Sequence, residues 1–253
     1  MIWQPVSGCG RHCRDGADLA AVWGLRTVRM LTLAGVLLGG LLLVPLLRGA
    51  GLRTLARTML AVLGIRLVRQ GPAPRPGSLL AANHVSWLDI LVLLAVAPVR
   101  LVAKGEVGGW PGIGMLAGWS GAIFIDRSRP KSLPVTVAEV AAALRAGRTV
   151  AAFPEGTTHC GVSQGRFRSA LFQAAIDARA PVVPASIRYD SAAAAFVGDD
   201  TLWDSVRRVA ALRSLTVTLV TAPALRPAAD ADRRGLARAA QSSLAVNGYR
   251  LAA

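Results

Sequence analysis

The sequence predicts an α/β domain built on a mixed, largely parallel sheet flanked by helices, preceded by N-terminal membrane helices. Three observations carry this. From residue 77 onward, short apolar runs of strand length alternate with stretches of helical periodicity. An unbroken uncharged stretch, MLTLAGVLLGGLLLVPLL over residues 30–47, precedes them. The breaker-rich segment Gly71-Pro-Ala-Pro-Arg-Pro-Gly77 separates the two parts. The expected division is a polar tail over 1–25, membrane-associated helices over 26–70 and an α/β domain over 71–253.

The uncharged stretch would be roughly 27 Å long as a helix, close to the hydrocarbon thickness of a bilayer. Gly39, Gly40 and Pro45 within it are tolerated in a membrane better than in water. Arg26 and Arg29 flank it on one side, and Arg48, Arg53, Arg57, Arg66 and Arg69 on the other. The heavier C-terminal flank places the following domain on the cytoplasmic side of the inner membrane if the segment spans. Charge on both flanks suits a re-entrant or monotopic insertion equally well. Residues 49–70 read as a basic amphipathic helix, with Leu52, Leu55, Met59, Leu60 and Leu63 near one face and Arg53 and Arg57 elsewhere. It suits either an anionic lipid surface or a seat on the domain. Beyond the linker, strands are expected over 79–82, 100–103, 122–126, 149–153, 182–187 and 215–220. Helices are expected over 87–96, 133–145 with Ser132 as N-cap, 169–178, 202–212 and 231–246.

Composition narrows the functional classes. The 253 residues are 53% hydrophobic, and 29 Lys and Arg outweigh 14 Asp and Glu to give +15. That charge favours anionic membrane, phosphorylated or acidic substrates, or nucleic acid. Nucleic acid is disfavoured by the lack of any zinc-finger, recognition-helix or stacking signature and by an aromatic content of 5%. Cys9, Cys13 and Cys160 are odd in number, which argues against a disulfide framework and for a reducing compartment. Cys9-Gly-Arg-His12-Cys13 offers metal ligands at crowded spacing without a partner cluster, so a plain tail is expected and no metal. The apolar run comes late and no small-residue cleavage site follows it, unlike a secretory signal.

Four short clusters bear chemistry. Asn83-His84-Val-Ser86-Trp87-Leu-Asp89 follows a strand. A histidine is suited to general-base work near neutral pH, and a carboxylate can fix its tautomer. In one continuous helix the two side chains would lie roughly 140° apart. They meet only if His84 occupies the strand-to-helix turn, with Ser86 capping the helix that carries Asp89. Gly121-Ala-Ile-Phe-Ile-Asp126-Arg127 delivers an Asp-Arg pair at a strand's C-terminal end, where Arg127 could grip a phosphate or carboxylate. Phe153-Pro154-Glu155-Gly156-Thr157-Thr158 ends another strand in a turn able to hold an anion or polarised oxygen. Ala180-Pro181-Val-Val-Pro184-Ala opens a strand with one proline and interrupts it with another.

In this order the four clusters resemble the blocks of the lysophosphatidic acid acyltransferase family of glycerolipid acyltransferases, over roughly residues 77–190. The blocks here read NHVSWLD, GAIFIDR, FPEGTT and APVVPAS. The resemblance implies that residues 71–253 form an acyltransferase domain and that His84 and Asp89 are the catalytic pair. It implies acceptor binding by Arg127, Glu155, Gly156 and Thr157, with Lys104 and Arg168 as further basic contacts. The implied substrates are a lysolipid acceptor, lysophosphatidic acid first and lyso-ornithine lipid as the alternative, and an acyl thioester donor, either acyl-CoA or acyl-carrier protein. An anionic membrane is the implied partner surface, and no metal or prosthetic group is needed. Two other classes compete. A thioesterase using Ser86 would need a nucleophile elbow, and no G-x-S-x-G occurs. A non-catalytic basic membrane-binding protein would fit the charge but makes no use of the four blocks.

Overall fold

In the computed structural model, residues 5–14, 23–126, 128–228 and 230–246 are described. The uncharged run and the basic segment after it are both helical and form α1 (Trp23–Val62). A straight helix would hold Arg29 and Gly64 about 50 Å apart. Instead the Arg29 guanidinium lies against Gly64, and Gly40 lies against the Leu55 side chain. So α1 doubles back as a helical hairpin whose reversal falls near residue 47, beside Pro45, which removes an intrahelical N–H bond and kinks the chain. The second arm buries Leu55, Ala56, Met59, Leu60 and Leu63 on the domain, while Val28, Leu31, Leu38, Leu42, Leu43 and Leu46 on the first arm are exposed.

Two arginines from the basic segments bond to backbone carbonyls of the domain, Arg29 from a buried position and Arg57 from an exposed one. Arg29 is buried, and its guanidinium donates to the carbonyls of Ala210, Leu212 and Arg213 at the C-terminal end of α6 (Leu202–Ala211). Arg57 Nε donates to Ala95 O at the end of α2 (Leu88–Val96), 2.9 Å away. Both satisfy carbonyls that a helix terminus leaves without an internal partner.

Helix α1 stops at Val62 because Gly64, at φ +69°, turns the chain; a Cβ there would lie 2.0 Å from Arg29 Nη2. The next residues correct the expectation of a helix through residue 70. They form β1 (Ile65–Gln70), paired in parallel with β7 (Leu215–Thr221) from Ile65↔Leu215 to Gln70↔Val220. Ile-Arg-Leu-Val-Arg supports a period of two as well as of 3.6, and the pairing decides it. The arginines lie on an edge strand, where charge discourages further pairing.

The other strands are β2 (Leu79–Ala82), β3 (Val99–Lys104), β4 (Ile123–Ile125), β5 (Thr149–Ala152) and β6 (Val182–Tyr189). The sheet order is β1-β7-β6-β2-β5-β3-β4. Strands β6, β2, β5, β3 and β4 run parallel, and β7 turns antiparallel to β6. The remaining helices are α3 (Ile113–Trp119), α4 (Leu133–Arg145), α5 (Ala170–Asp177) and α7 (Arg233–Val246). Alternation splits the core. Leu80 and Ala82 face α1, α2 and α6, whereas Leu79 and Ala81 face α4, α5 and α7. The mixed, mostly parallel sheet between helices is the architecture expected. Ser132 departs from expectation in one respect: its hydroxyl donates to Arg129 O at 2.7 Å and does not cap α4. Sequence periodicity missed α3, a short helix in a glycine-rich stretch.

Candidate active site

Three adjacent parallel strands, β6, β2 and β5, end along one edge of the sheet, the edge at which open α/β sheets hold ligands. Strand β2 leaves the sheet at a fixed point. Asn83, just past its end, accepts the Ile187 N–H at 2.7 Å and donates to Ile187 O at 3.1 Å, extending the β2–β6 pairing with its side chain. The chain then turns without regular structure until α2 begins at Leu88.

His84 lies in this turn and Asp89 in the first turn of α2, as their five-residue offset demands. Asp89 is fully buried. Its Oδ2 accepts from His84 Nδ1 at 2.8 Å and from the backbone N–H groups of Val85 and Ser86 at 2.7 and 2.9 Å. Its Oδ1 accepts the Tyr189 hydroxyl at 2.6 Å. Ser86 Oγ accepts the Leu88 N–H at 3.4 Å, and Asp89 reaches back to the Ser86 N–H over the start of its own helix, where negative charge is favoured. The His84 ring stacks on Phe153, centroids 4.0 Å apart and planes 13° off parallel. Its side chain is 19% exposed, and with Nδ1 bound to Asp89 the ring keeps Nε2 for another partner. Trp87, in the same turn, donates from Nε1 to Ser205 of α6 at 3.2 Å.

The FPEGTT turn follows β5 and grips the His84 backbone from the other side. Glu155 Oε2 accepts the His84 N–H at 2.7 Å, and Oε1 accepts the Gly165 N–H at 3.0 Å. His159 N–H donates to His84 O at 2.8 Å. Glu155 is only 3% exposed. Both oxygens of the Glu155 carboxyl, a group expected to serve acceptor binding, thus hold backbone N–H groups, one of them directly under the imidazole. Gly156, at φ +78°, closes the turn by donating to Phe153 O, and Pro5 packs over it. Arg168 Nε lies beside Gly156, and the Arg168 N–H donates to Pro154 O. Thr157 is half-buried on the same turn. Lys104 is exposed at the end of β3, one strand beyond β5 and so roughly 10 Å across the sheet from the end of β2. Arg127 lies outside the described residues.

Burial pushes the Glu155 carboxyl up to about 8, the charge of Asp89 adds to the rise, and the two backbone N–H groups oppose it. A carboxyl raised above its unfolded value of 4.5 keeps a proton in the folded state that the unfolded chain gives up. The stability this confers is full below about pH 4.5 and is lost as pH rises through about 8. Thermal unfolding across that window will show a falling midpoint in the native protein and a flatter one in Glu155→Gln. Equal slopes would mean that Glu155 is ionised throughout.

Sequence reasoning missed Tyr189. Its only signal was a phenol at the end of a strand neighbouring the first block. Tyr189→Phe leaves Asp89 Oδ1 without its donor and will cost about 1 kcal/mol of stability, with a turnover loss of roughly 10-fold or less. Melting and initial-rate measurements check both, and an unchanged melting point would deny the bond its stabilising role.

A family model described as Acyltransferase matches residues 64–188. A 1-acyl-sn-glycerol-3-phosphate acyltransferase of Neisseria meningitidis is 40% identical over 147 residues, 57% of this chain and 58% of that protein. A lyso-ornithine lipid O-acyltransferase of Pseudomonas aeruginosa is 37% identical over 179 residues, 69% of each chain. The chain therefore spans somewhat under two thirds of the meningococcal relative. The crystal structure of the 1-acyl-sn-glycerophosphate acyltransferase PlsC from Thermotoga maritima superposes with a TM-score of 0.65 at 18% identity, covering 90% of this chain and 100% of that one. The fold is thus that of a glycerolipid acyltransferase. The chain belongs to the acyltransferase family that holds the lysophosphatidic acid and lyso-ornithine lipid enzymes.

Proposed function

We propose that the protein transfers a fatty acyl group from acyl-CoA or acyl-carrier protein to the hydroxyl of a lysolipid, with lysophosphatidic acid as acceptor and phosphatidic acid as product. The observation that carries the reading is the fully buried Asp89 clamping His84 Nδ1 at the ligand-binding edge of the sheet. His84 Nε2 takes the proton of the acceptor hydroxyl, and Asp89 steadies the imidazolium. The acceptor oxygen bonds to the thioester carbonyl carbon. The C–S bond then breaks, and Nε2–H protonates the departing thiolate. The N–H groups of residues 84, 85 and 86 are committed to Glu155 and Asp89. Donors for the transient oxyanion are therefore sought in the third block, around Thr157 and Thr158. No acyl-enzyme is needed. Lys104, Arg127 and Arg168 are the cations proposed for the acceptor headgroup.

Lyso-ornithine lipid is the second acceptor reading. It is favoured by the longer alignment, 179 residues against 147, with a relative bearing that activity in its name. An assay offering both lysolipids with both donors, with products identified by mass spectrometry, decides between them. Free fatty acid formed as fast without any acceptor would overturn transfer in favour of hydrolysis.

For location we propose the cytoplasmic face of the inner membrane. The segment Gly24–Leu46 is long and apolar enough to cross a membrane, with mean hydropathy 2.0. The hairpin brings Arg29 and Gly64 to one end, so an inserted hairpin enters and leaves on the same side. Trp110, Ile113, Met115 and Trp119, on and before α3, add exposed apolar surface, and Gly112 at the start of α3 lies against Leu41 of the hairpin.

A further inference from the structure

All three cysteines of the chain converge. Cys9 and Cys13 come from the N-terminal segment, and Cys160 follows the FPEGTT turn about 150 residues later. Their three Sγ atoms all lie within 4.8 Å of one another. Cys9 and Cys160 are buried and Cys13 is half-buried. Ser163 Oγ sits 3.0 Å from Cys9 Sγ and 3.5 Å from Cys160 Sγ, and the Cys160 N–H donates to Cys9 Sγ at 3.3 Å. The Cys160 N–H thus donates to one sulfur, and the Ser163 hydroxyl lies between two of them. The sequence supplied Cys9, His12 and Cys13 without a partner, and folding supplies the partner.

We propose that Cys9, Cys13 and Cys160 form a three-thiolate site for a zinc ion. A zinc–sulfur bond of about 2.3 Å sets sulfurs of a tetrahedral site roughly 3.8 Å apart, within small side-chain adjustments of the spacing here. Soft and borderline d10 ions are the ones that such a sulfur set selects. On binding, the three S–H protons pass to solvent, three Zn–S bonds form and the ion sheds water. The fourth ligand is water. No oxidant is involved and sulfur keeps its oxidation state.

The site joins two segments that matter to each other. The N-terminal segment is already laid on the domain by three other contacts. Ser7 Oγ lies 3.2 Å from His159 Nδ1, and Arg14 pairs with Asp200, which also holds Arg208. Pro5 covers Gly156. A bound ion fastens this strap to the loop between Glu155 and Gly165, the loop that grips the His84 backbone. The inference does not depend on the acyl-transfer reading.

The test uses the full-length protein purified in detergent without oxygen or chelator. Elemental analysis should find one zinc per chain. Cobalt put in its place should give an intense sulfur-to-metal charge-transfer band with the visible bands of a tetrahedral site. Cys13→Ser, chosen because Cys13 is the least buried ligand, should weaken zinc binding by more than about 100-fold. Its metal-free melting point should match that of the metal-free native protein, which separates ligand loss from misfolding. Zinc retained by a Cys9→Ser, Cys13→Ser, Cys160→Ser triple variant, a cobalt spectrum without sulfur bands, or a disulfide between two of the three cysteines in the anaerobic protein would each overturn the proposal.

Discussion

His84→Ala will lower turnover by at least about 100-fold while leaving the fold intact. The expectation of a large kinetic effect with a small structural one follows from how the residue is held. The His84 backbone is fixed by Glu155 and by the His159 N–H, and neither contact uses the imidazole. Removing the ring uncovers one face of Phe153 and deprives Asp89 of one of four donors. The remaining three keep the carboxylate in place. Turnover of purified protein and its thermal unfolding should therefore separate cleanly. Near-normal turnover in a folded His84→Ala protein would end the assignment of His84 as the base.

Asp89 is expected to divide its two roles between two substitutions. In Asp89→Asn, the amide oxygen can still accept from His84 Nδ1, Val85 and Ser86, while Tyr189 can rotate its hydroxyl to accept from the amide nitrogen. The turn survives, but the negative charge that stabilises an imidazolium is gone, and turnover should fall by about 10³-fold or more. In Asp89→Ala the buried donors lose their acceptor altogether. Unfolding experiments should then show a loss of about 3–5 kcal/mol as well as inactivity. If both variants were equally unstable, Asp89 would be structural and the charge argument would fail.

The sheet's parallel part was legible because its strands are short apolar runs bounded by turns, and β2 and α4 begin and end where periodicity places them. The His84–Asp89 pair was implied by the family resemblance, and the five-residue offset added a condition: the two meet only if a turn intervenes, as it does here. Elsewhere the deciding contact is remote. Residues 65–70 carry a pattern that fits helix or strand, and only pairing with β7 resolves it. Glu155 reads as a carboxylate for an acceptor, and only the fold places two backbone N–H groups against it. Ser86 reads as a cap and does accept the Leu88 N–H, but the sequence left out the bond from its own N–H back to Asp89. Cys160 gains its partners across about 150 residues, a distance over which spacing carries no information.

The foot of the helical hairpin is closed by one guanidinium that touches Gly64 and the end of α6 together. The hairpin tip lies roughly 27 Å away along the first arm. Arg29 thus ties the first arm to α6, and Ser205 of α6 accepts the Trp87 Nε1–H from the turn that holds His84. In the proposed membrane setting, this one chain of contacts is the path that joins the inserted hairpin to the turn carrying His84.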